Sequence, residues 1–365
     1  MAIFVGLMQE QESLMQRCLQ LAELGKGQTA PNPLVGAVLA YGDKIIGEGY
    51  HARYGAAHAE VDCLQNVAPV HHHLIPAATL YVSLEPCCHH GKTPPCTDLI
   101  LRSGVKKVVV ATTDPFPAVN SGGIRVLREA GVEVQVGMLE NESRWMNRRF
   151  FRFHQQQRPY IVLKWAQTYD GFLGGETSER WLISNELSQR QLHQWRSEEQ
   201  AILVGYRTAL LDDPSLTTRL VPGKNPLRMV IDPKNALPAG LTIFQDGLPV
   251  VIFNELEDGR QGVVSRVKVE AKDWKEGIYA YCRRHQIQSI LVEGGRATLL
   301  YFLQQGCWDE IRRITNLNLR GNTGVPAPAI PNHTTPAETY FLDNDKVEII
   351  YRDSIRNTIR DTIPS

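Results

Sequence analysis

His58-Ala59-Glu60 and Pro86-Cys87, with Cys96 nine residues further on, assemble an imidazole, two thiols and a carboxylate. One imidazole and two thiolates suit zinc, and three protein ligands leave the fourth tetrahedral position for water, the arrangement of a catalytic rather than a closed structural site. Two thiolate charges offset that of Zn²⁺, so the site can sit half-buried without a large desolvation cost. Water at the open position ionises near neutral pH. Glu60, two residues from His58, is placed to take a proton from that water and pass it to a leaving nitrogen. The plain alternative is that His58 and Glu60 cap a helix and the cysteines are structural. Both halves occur in order, each at an expected strand–helix junction, which argues against it.

Periodicity and chain breakers supply the elements that must hold these groups. Helical spacing over Leu14 to Leu24 stops at Gly25. Val35–Ala40, a Tyr41-Gly42-Asp43 turn and Lys44–Tyr50 read as a hairpin. A helix over Ala59–Val67, a strand over Thr79–Leu84, a helix after Cys96, a strand over Lys107–Ala111, a helix over Ile124–Ala130 and a strand over Val132–Val136 follow. The three histidines 71 to 73 read as a solvated loop. Arg144 to Arg158 mixes five arginines with Trp145, Phe150, Phe151 and Phe153. That pattern can mark nucleic-acid binding, but an amphipathic connecting helix explains it more simply, and Arg158-Pro159 ends it. A boundary near 155 gives expected domains of 1–153 and 156–365. Beyond it, strands are expected at Tyr160–Trp165, Ala201–Val204, Met229–Ile231, Val250–Phe253 and Ser289–Val292, with helices at Asn185–Arg196, Trp274–His285 and Ala297–Gln304. Strands alternating with helices indicate an α/β class.

Composition narrows the partners. A chain of 365 residues exceeds one typical domain, at about 150 residues each. Lys plus Arg and Asp plus Glu are both 39, so the net charge is zero; nucleic acid is not the expected partner. No run approaches the roughly 20 apolar residues of a membrane helix, and the N-terminal segment reads as an amphipathic helix rather than a signal peptide. Seven cysteines, an odd number, argue against a disulfide framework and for a reducing cytoplasm. Neither half contains a dinucleotide-binding glycine fingerprint or a P-loop.

H-x-E followed by P-C-x-x-C is the signature of zinc nucleobase deaminases; here the second pair is widened to Cys87-x8-Cys96. The segment Glu85-Pro86-Cys87-Cys88-His89-His90-Gly91-Lys92-Thr93-Pro94-Pro95-Cys96, with Pro31-Asn32-Pro33 and Gly49-Tyr50-His51, closely resembles the bifunctional pyrimidine deaminase/reductases of riboflavin biosynthesis. The resemblance runs over essentially the whole chain. It implies a cytidine-deaminase-like α/β/α domain followed by a dihydrofolate-reductase-like α/β domain. It implies one Zn²⁺ per chain on His58, Cys87 and Cys96, Glu60 as proton shuttle, and substrate contacts from Asn32, His51, His89 and Lys92. Cys88 fits the small spacer position. In the second half, Lys164-x-Ala166-x-Thr168-x-Asp170-Gly171, Trp181-Leu182-Ile183-Ser184, Arg196, Thr208, Asp212-Asp213-Pro214-x-Leu216-Thr217-x-Arg219 and Glu293-Gly294-Gly295 follow the family's order. There it implies substrate contacts from Lys164, Arg196, Leu216, Arg219 and Glu293, and NADPH contacts from Ala166, Trp181, Thr208, Asp212 and Gly295. The implied substrate is a small phosphoribosyl pyrimidine, and an assembly of identical chains is expected.

Two departures stand out. The place of an expected substrate-contacting serine falls on Glu179, or on Ser178 after a one-residue shift, and Pro233 stands where some relatives carry a hydroxyl near the cofactor. The competing reading is a zinc nucleoside or RNA deaminase with a degenerate C-terminal domain.

Overall fold

The computed structural model describes residues 2–89, 94–116, 121–175, 181–271, 273–331 and 334–352, with side chains from residue 9. His90 to Thr93, and with them Lys92, lie outside the described residues, as does Glu179. The chain divides into two compact units between Gln156 and Gln157.

The first unit runs α1 (Ala2–Glu23), β1 (Gly36–Tyr41), β2 (Lys44–Tyr50), α2 (Ala59–Gln65), β3 (Thr79–Val82), α3 (Cys96–Ser103), β4 (Lys107–Val110), α4 (Gly122–Glu129), β5 (Glu133–Val136), α5 (Glu140–Met146) and α6 (Arg148–Gln156). Its sheet has the order β2-β1-β3-β4-β5. The hairpin β1–β2 and the pair β1–β3 are antiparallel, and β3–β4–β5 are parallel. Apolar side chains of the two sheet faces form separate clusters, one under α2, α3 and α4 and the other under α1. The three histidines lie in a 3₁₀ helix, Pro69–Ala77, rather than a loop.

The expected single helix over 144–158 is two helices broken at Asn147. The Asn147 amide is committed to the Leu34 main chain, accepting from its N–H at 2.8 Å and donating to its carbonyl at 2.9 Å. That pairing anchors the segment carrying Asn32. Phe150, Phe151 and Phe153 are buried, while Arg144 and Arg148 lie over the rings of Phe151 and Trp145. The basic–aromatic pattern is therefore packing.

Helix α2 reaches the sheet because β2 offers it two glycines. A Cβ on Gly49 would stand 2.1 Å from the Cys63 nitrogen, and one on Gly47 2.7 Å from the Cys63 oxygen. Asp62 then fastens the helix by accepting from the Tyr50 N–H at 3.0 Å.

The second unit runs β6 (Tyr160–Thr168), β7 (Phe172–Gly174), α7 (Glu186–Glu198), β8 (Ala201–Gly205), α8 (Tyr206–Asp212), β9 (Leu227–Ile231), α9 (Thr242–Gln245), β10 (Val250–Asn254), β11 (Gly259–Gln261), β12 (Val264–Lys268), α10 (Trp274–His285), β13 (Ser289–Val292), α11 (Arg296–Gln304), β14 (Glu310–Asn316), β15 (Val325–Pro326), β16 (Glu338–Leu342) and β17 (Asp345–Tyr351). Ten of these strands form one sheet, β11-β12-β10-β9-β8-β13-β6-β14-β17-β16. Its centre, β12 to β14, is parallel, and β16, β17 and β11 close it antiparallel. The Arg158 guanidinium donates to both carboxylate oxygens of Asp309, which also accepts from Ile161 N–H, fixing the start of β6. Among the described residues no helix is long and apolar enough to cross a membrane.

Gly49→Ala should destabilise the first unit by about 1–3 kcal/mol, the usual range for forcing extra volume into a packed contact. Hydrogen exchange of the β1 and β2 amides measures it; unchanged protection would mean that α2 does not depend on this close approach.

Candidate active sites

His58 immediately precedes α2, with extended backbone, and Glu60 lies in that helix's first turn. Cys96 is the first residue of α3, which starts there because Pro94-Pro95 breaks the preceding chain. Cys87 follows Pro86 just beyond β3. The donor atoms of His58, Cys87 and Cys96 all lie within 4.8 Å of one another. His58 Nδ1 stands 3.2 Å from Cys96 Sγ and 3.5 Å from Cys87 Sγ. A tetrahedral zinc with ordinary bond lengths asks for about 3.6 Å between a nitrogen and a sulfur ligand, so the donor set fits the ion and Nδ1 is the nitrogen that faces it.

The same site makes a thiolate. The Cys87 sulfur accepts from the Cys96 backbone N–H at 3.3 Å, at the start of α3. The Cys96 thiol and then His58 pull the Cys87 pKa well below the usual thiol range, against the opposing effect of burial. Glu60 is 3% exposed; burial first, and the Cys87 charge second, push its pKa up to about 7.

Two of the expected substrate contacts meet beside the zinc-type donors. His51 Nδ1 donates to the Ala57 carbonyl at 2.8 Å, which leaves Nε2 to accept from the Asn32 amide at 3.1 Å. The His51 ring stands edge-on to His58 at 5.6 Å. His89 is exposed and tilted against Phe116, at 6.3 Å between ring centres.

Glu85 was not among the candidate residues. Its buried carboxylate accepts from the backbone N–H groups of Asp114, Ser121, Gly123 and Ile124, between 2.9 and 3.2 Å. It thereby ties the turn after β4 to the chain leading into Cys87. Its place directly before Pro86-Cys87 was the available signal.

In the second unit, Lys164 at the middle of β6, Arg196 on α7 and Glu293 just after β13 come together in a buried cluster. Arg196 donates Nε–H and Nη2–H to the two oxygens of Glu293, at 2.7 and 2.8 Å, and Nη1–H to the Thr217 carbonyl at 3.1 Å. Burial opposes the Glu293 charge, but Arg196 and then Lys164 hold its pKa below the usual carboxylate value. Burial lowers the Lys164 pKa, with Glu293 acting against that and Arg196 with it. Leu216 is buried with φ 54° and belongs to the apolar cluster that includes Ile202 and Val204. Arg219 is exposed, its Nη1–H donating to Ser215 Oγ at 2.9 Å.

Thr208 and Gly295 also meet. The Gly295 N–H donates to Thr208 Oγ1 at 2.7 Å, and a Cβ on Gly295 would lie 2.8 Å from that oxygen. The bare backbone at the start of α11, with a hydroxyl beside it, fits a cofactor phosphate. Trp181 lies against Gly175 and Gly321, Ala166 is half-buried late in β6, and Asp212 is exposed at the end of α8. Asp170, within the first reductase-like motif, accepts from Gly321 and Asn322 N–H and so shapes the loop under Trp181. Pro233 follows the β9 end, and its carbonyl accepts from Glu255 N–H at 3.0 Å.

Residues 8–112 match the family described as the cytidine and deoxycytidylate deaminase zinc-binding region, and residues 159–325 match the RibD C-terminal domain. Riboflavin biosynthesis protein RibD of Aquifex aeolicus is 42% identical over 307 residues, covering 82% of this chain and 85% of that protein. Its namesake from Bacillus amyloliquefaciens is 37% identical over 327 residues, 87% of each. A Thermotoga maritima structure, a diaminohydroxyphosphoribosylaminopyrimidine deaminase/5-amino-6-(5-phosphoribosylamino)uracil reductase, superimposes with a TM-score of 0.85 at 33% identity, covering 94% of this chain and 99% of that one. Acinetobacter baumannii RibD gives 0.85 at 29% identity over the same shares.

Removing the Glu293 charge leaves Arg196 and Lys164 buried together. Glu293→Gln should cost about 3–5 kcal/mol, as for breaking one side of a buried ion pair, measured by urea unfolding of the second unit. Because the folded pKa of Glu293 lies below its usual 4.5, the wild-type contribution is complete above that pH. It is lost as pH falls through the folded value, and Glu293→Gln should flatten that part of the stability profile.

Proposed function

The chain belongs to the RibD family of riboflavin biosynthesis proteins, and from that premise we propose that it acts twice on one phosphoribosylated pyrimidine. It is a deaminase and a reductase, with residues 1–153 carrying the first activity and 156–365 the second. The substrate of the first step is 2,5-diamino-6-(5-phosphoribosylamino)pyrimidin-4(3H)-one. Hydrolysis at its C2 replaces the amino group by oxygen and releases ammonia. The second step reduces the ribosyl group of the resulting 5-amino-6-(5-phosphoribosylamino)uracil to ribityl. The nucleoside or RNA deaminase with a degenerate tail is not favoured, since the relatives match through both halves.

The deaminase step rests on one observation: three zinc-type donors converge beside a buried glutamate. One Zn²⁺ held by His58, Cys87 and Cys96 supplies a water acidic enough to act as nucleophile at neutral pH. A buried carboxyl beside that water can take up a proton and give it back, so Glu60 moves one from the attacking water to the departing amino nitrogen. Asn32 and His51, each fixing the other, present the pyrimidine; His89 and Lys92 complete its contacts.

For the reductase, NADPH supplies the hydride, delivered to C1′ of the ring-opened ribosyl group. Thr208 and Gly295, with Ala166, Trp181 and Asp212, hold the cofactor. Lys164 and Glu293 contact the ribosyl chain, Arg196 orients Glu293, and Leu216 and Arg219 shape the phosphate end. A guanidinium closed on Glu293 and Thr217 acts here by fixing its neighbours. Seven unpaired cysteines fit a reducing cytoplasm.

Glu60→Gln should abolish ammonia release, by at least about 10²-fold as for loss of a positioned proton carrier, while NADPH oxidation with the deaminated intermediate persists. Loss of both activities in a folded variant would defeat the two-site reading.

A further inference from the structure

His193 lies one turn before Arg196 on α7, so both side chains leave the same face of the helix. They grip the same stretch of chain. Arg196 donates to the Thr217 carbonyl at 3.1 Å, and His193 Nδ1 accepts the Arg219 N–H at 3.0 Å. A ring nitrogen that accepts carries no proton, so in the neutral imidazole the proton is on Nε2. That Nε2–H is buried and has no hydrogen-bond partner among the described residues, and His193 as a whole is 1% exposed. An unmade hydrogen bond in such a position is costly, and buried donors left open in a folded protein ask for a ligand, an ion or a water to complete them.

The surroundings say what would complete this one. The charges that act most strongly on His193 are Arg196 from its own helix, Arg219 from the loop it holds, Lys164 from β6 and, with opposite sign, Glu293 after β13. Cations predominate among these nearest groups, and an anion is the ligand charge such surroundings favour. Burial first, then Arg196 and Arg219, keep the imidazole neutral, with a pKa lowered to about 4. A neutral Nε2–H is a donor at every pH at which the enzyme would work.

We propose that His193 is a phosphate-binding residue of the reductase site: Nε2–H donates to a phosphate oxygen of the substrate while Nδ1 fixes the main chain of Arg219. The inference rests on the reductase reading given above and adds to it a residue that links the arginine-bearing loop to the ligand.

The two ring nitrogens can be tested separately in the full-length chain. His193→Asn keeps an acceptor near the Nδ1 position and removes the Nε2 donor; His193→Gln does the reverse. For the phosphorylated substrate, His193→Asn should raise the reductase KM roughly ten- to a hundredfold, as for one hydrogen bond to a charged group, with a much smaller change in kcat. His193→Gln should lie nearer the wild type. The opposite order, or no change in either variant, would overturn the proposal, since a residue serving only the Arg219 main chain depends on Nδ1. If the variants do not fold, the wild-type chain with ¹⁵N-labelled histidines decides it. Inorganic phosphate should shift one neutral Nε2–H imidazole saturably, and the absence of any such response contradicts the assignment. A wild-type chain that fails to oxidise NADPH with the substrate would sink the reductase reading alone, and the phosphate titration would still decide the role of His193.

Discussion

The approach of α2 to β2 sets the deaminase site. Gly47 and Gly49 remove two side chains from the strand, and the helix backbone occupies the space a Cβ would need. Only at that distance does the turn before the helix bring His58 Nδ1 to within 3.2–3.5 Å of two sulfurs that arrive from other parts of the chain. The same approach buries Glu60, and burial is the largest cause of its raised pKa. The convergence of the donor atoms and the raised Glu60 pKa thus follow from one packing contact.

The second unit solves a related problem with charge instead of close packing. A carboxylate, a guanidinium and an ammonium share one buried place between β6, α7 and the end of β13. Their mutual attraction has to offset the loss of hydration of all three. Arg196 is the member with enough donors to serve Glu293 twice and still reach the Thr217 carbonyl, a use for which lysine has no geometry. The consequence is a preorganised polar floor.

Much of this was legible in the sequence because the signals were local. His-x-Glu before a helix, Pro-Cys after a strand and Pro-Pro-Cys at a helix start each carry their own stop or cap, and the strands feeding them are continuous apolar runs. The strands at Glu310–Asn316 and Asp345–Tyr351 gave no such signal. Their alternation is hidden by charged residues that are buried only because they pair across the fold, as Arg312 does with Glu310 and Glu199. The break at Asn147 was equally invisible, since its cause is a side chain bonded to Leu34, far away in sequence. His193 and Glu85 belong to the same class: each is an ordinary residue until a distant backbone N–H is brought to it.

In the proposed function one chain performs two reactions in a fixed order. Ammonia release and NADPH oxidation followed together, on one purified sample supplied only with the diaminopyrimidine substrate, measure this directly. NADPH consumption should lag ammonia release and then match it mole for mole. NADPH oxidation that proceeds without prior ammonia release would contradict this order of reactions.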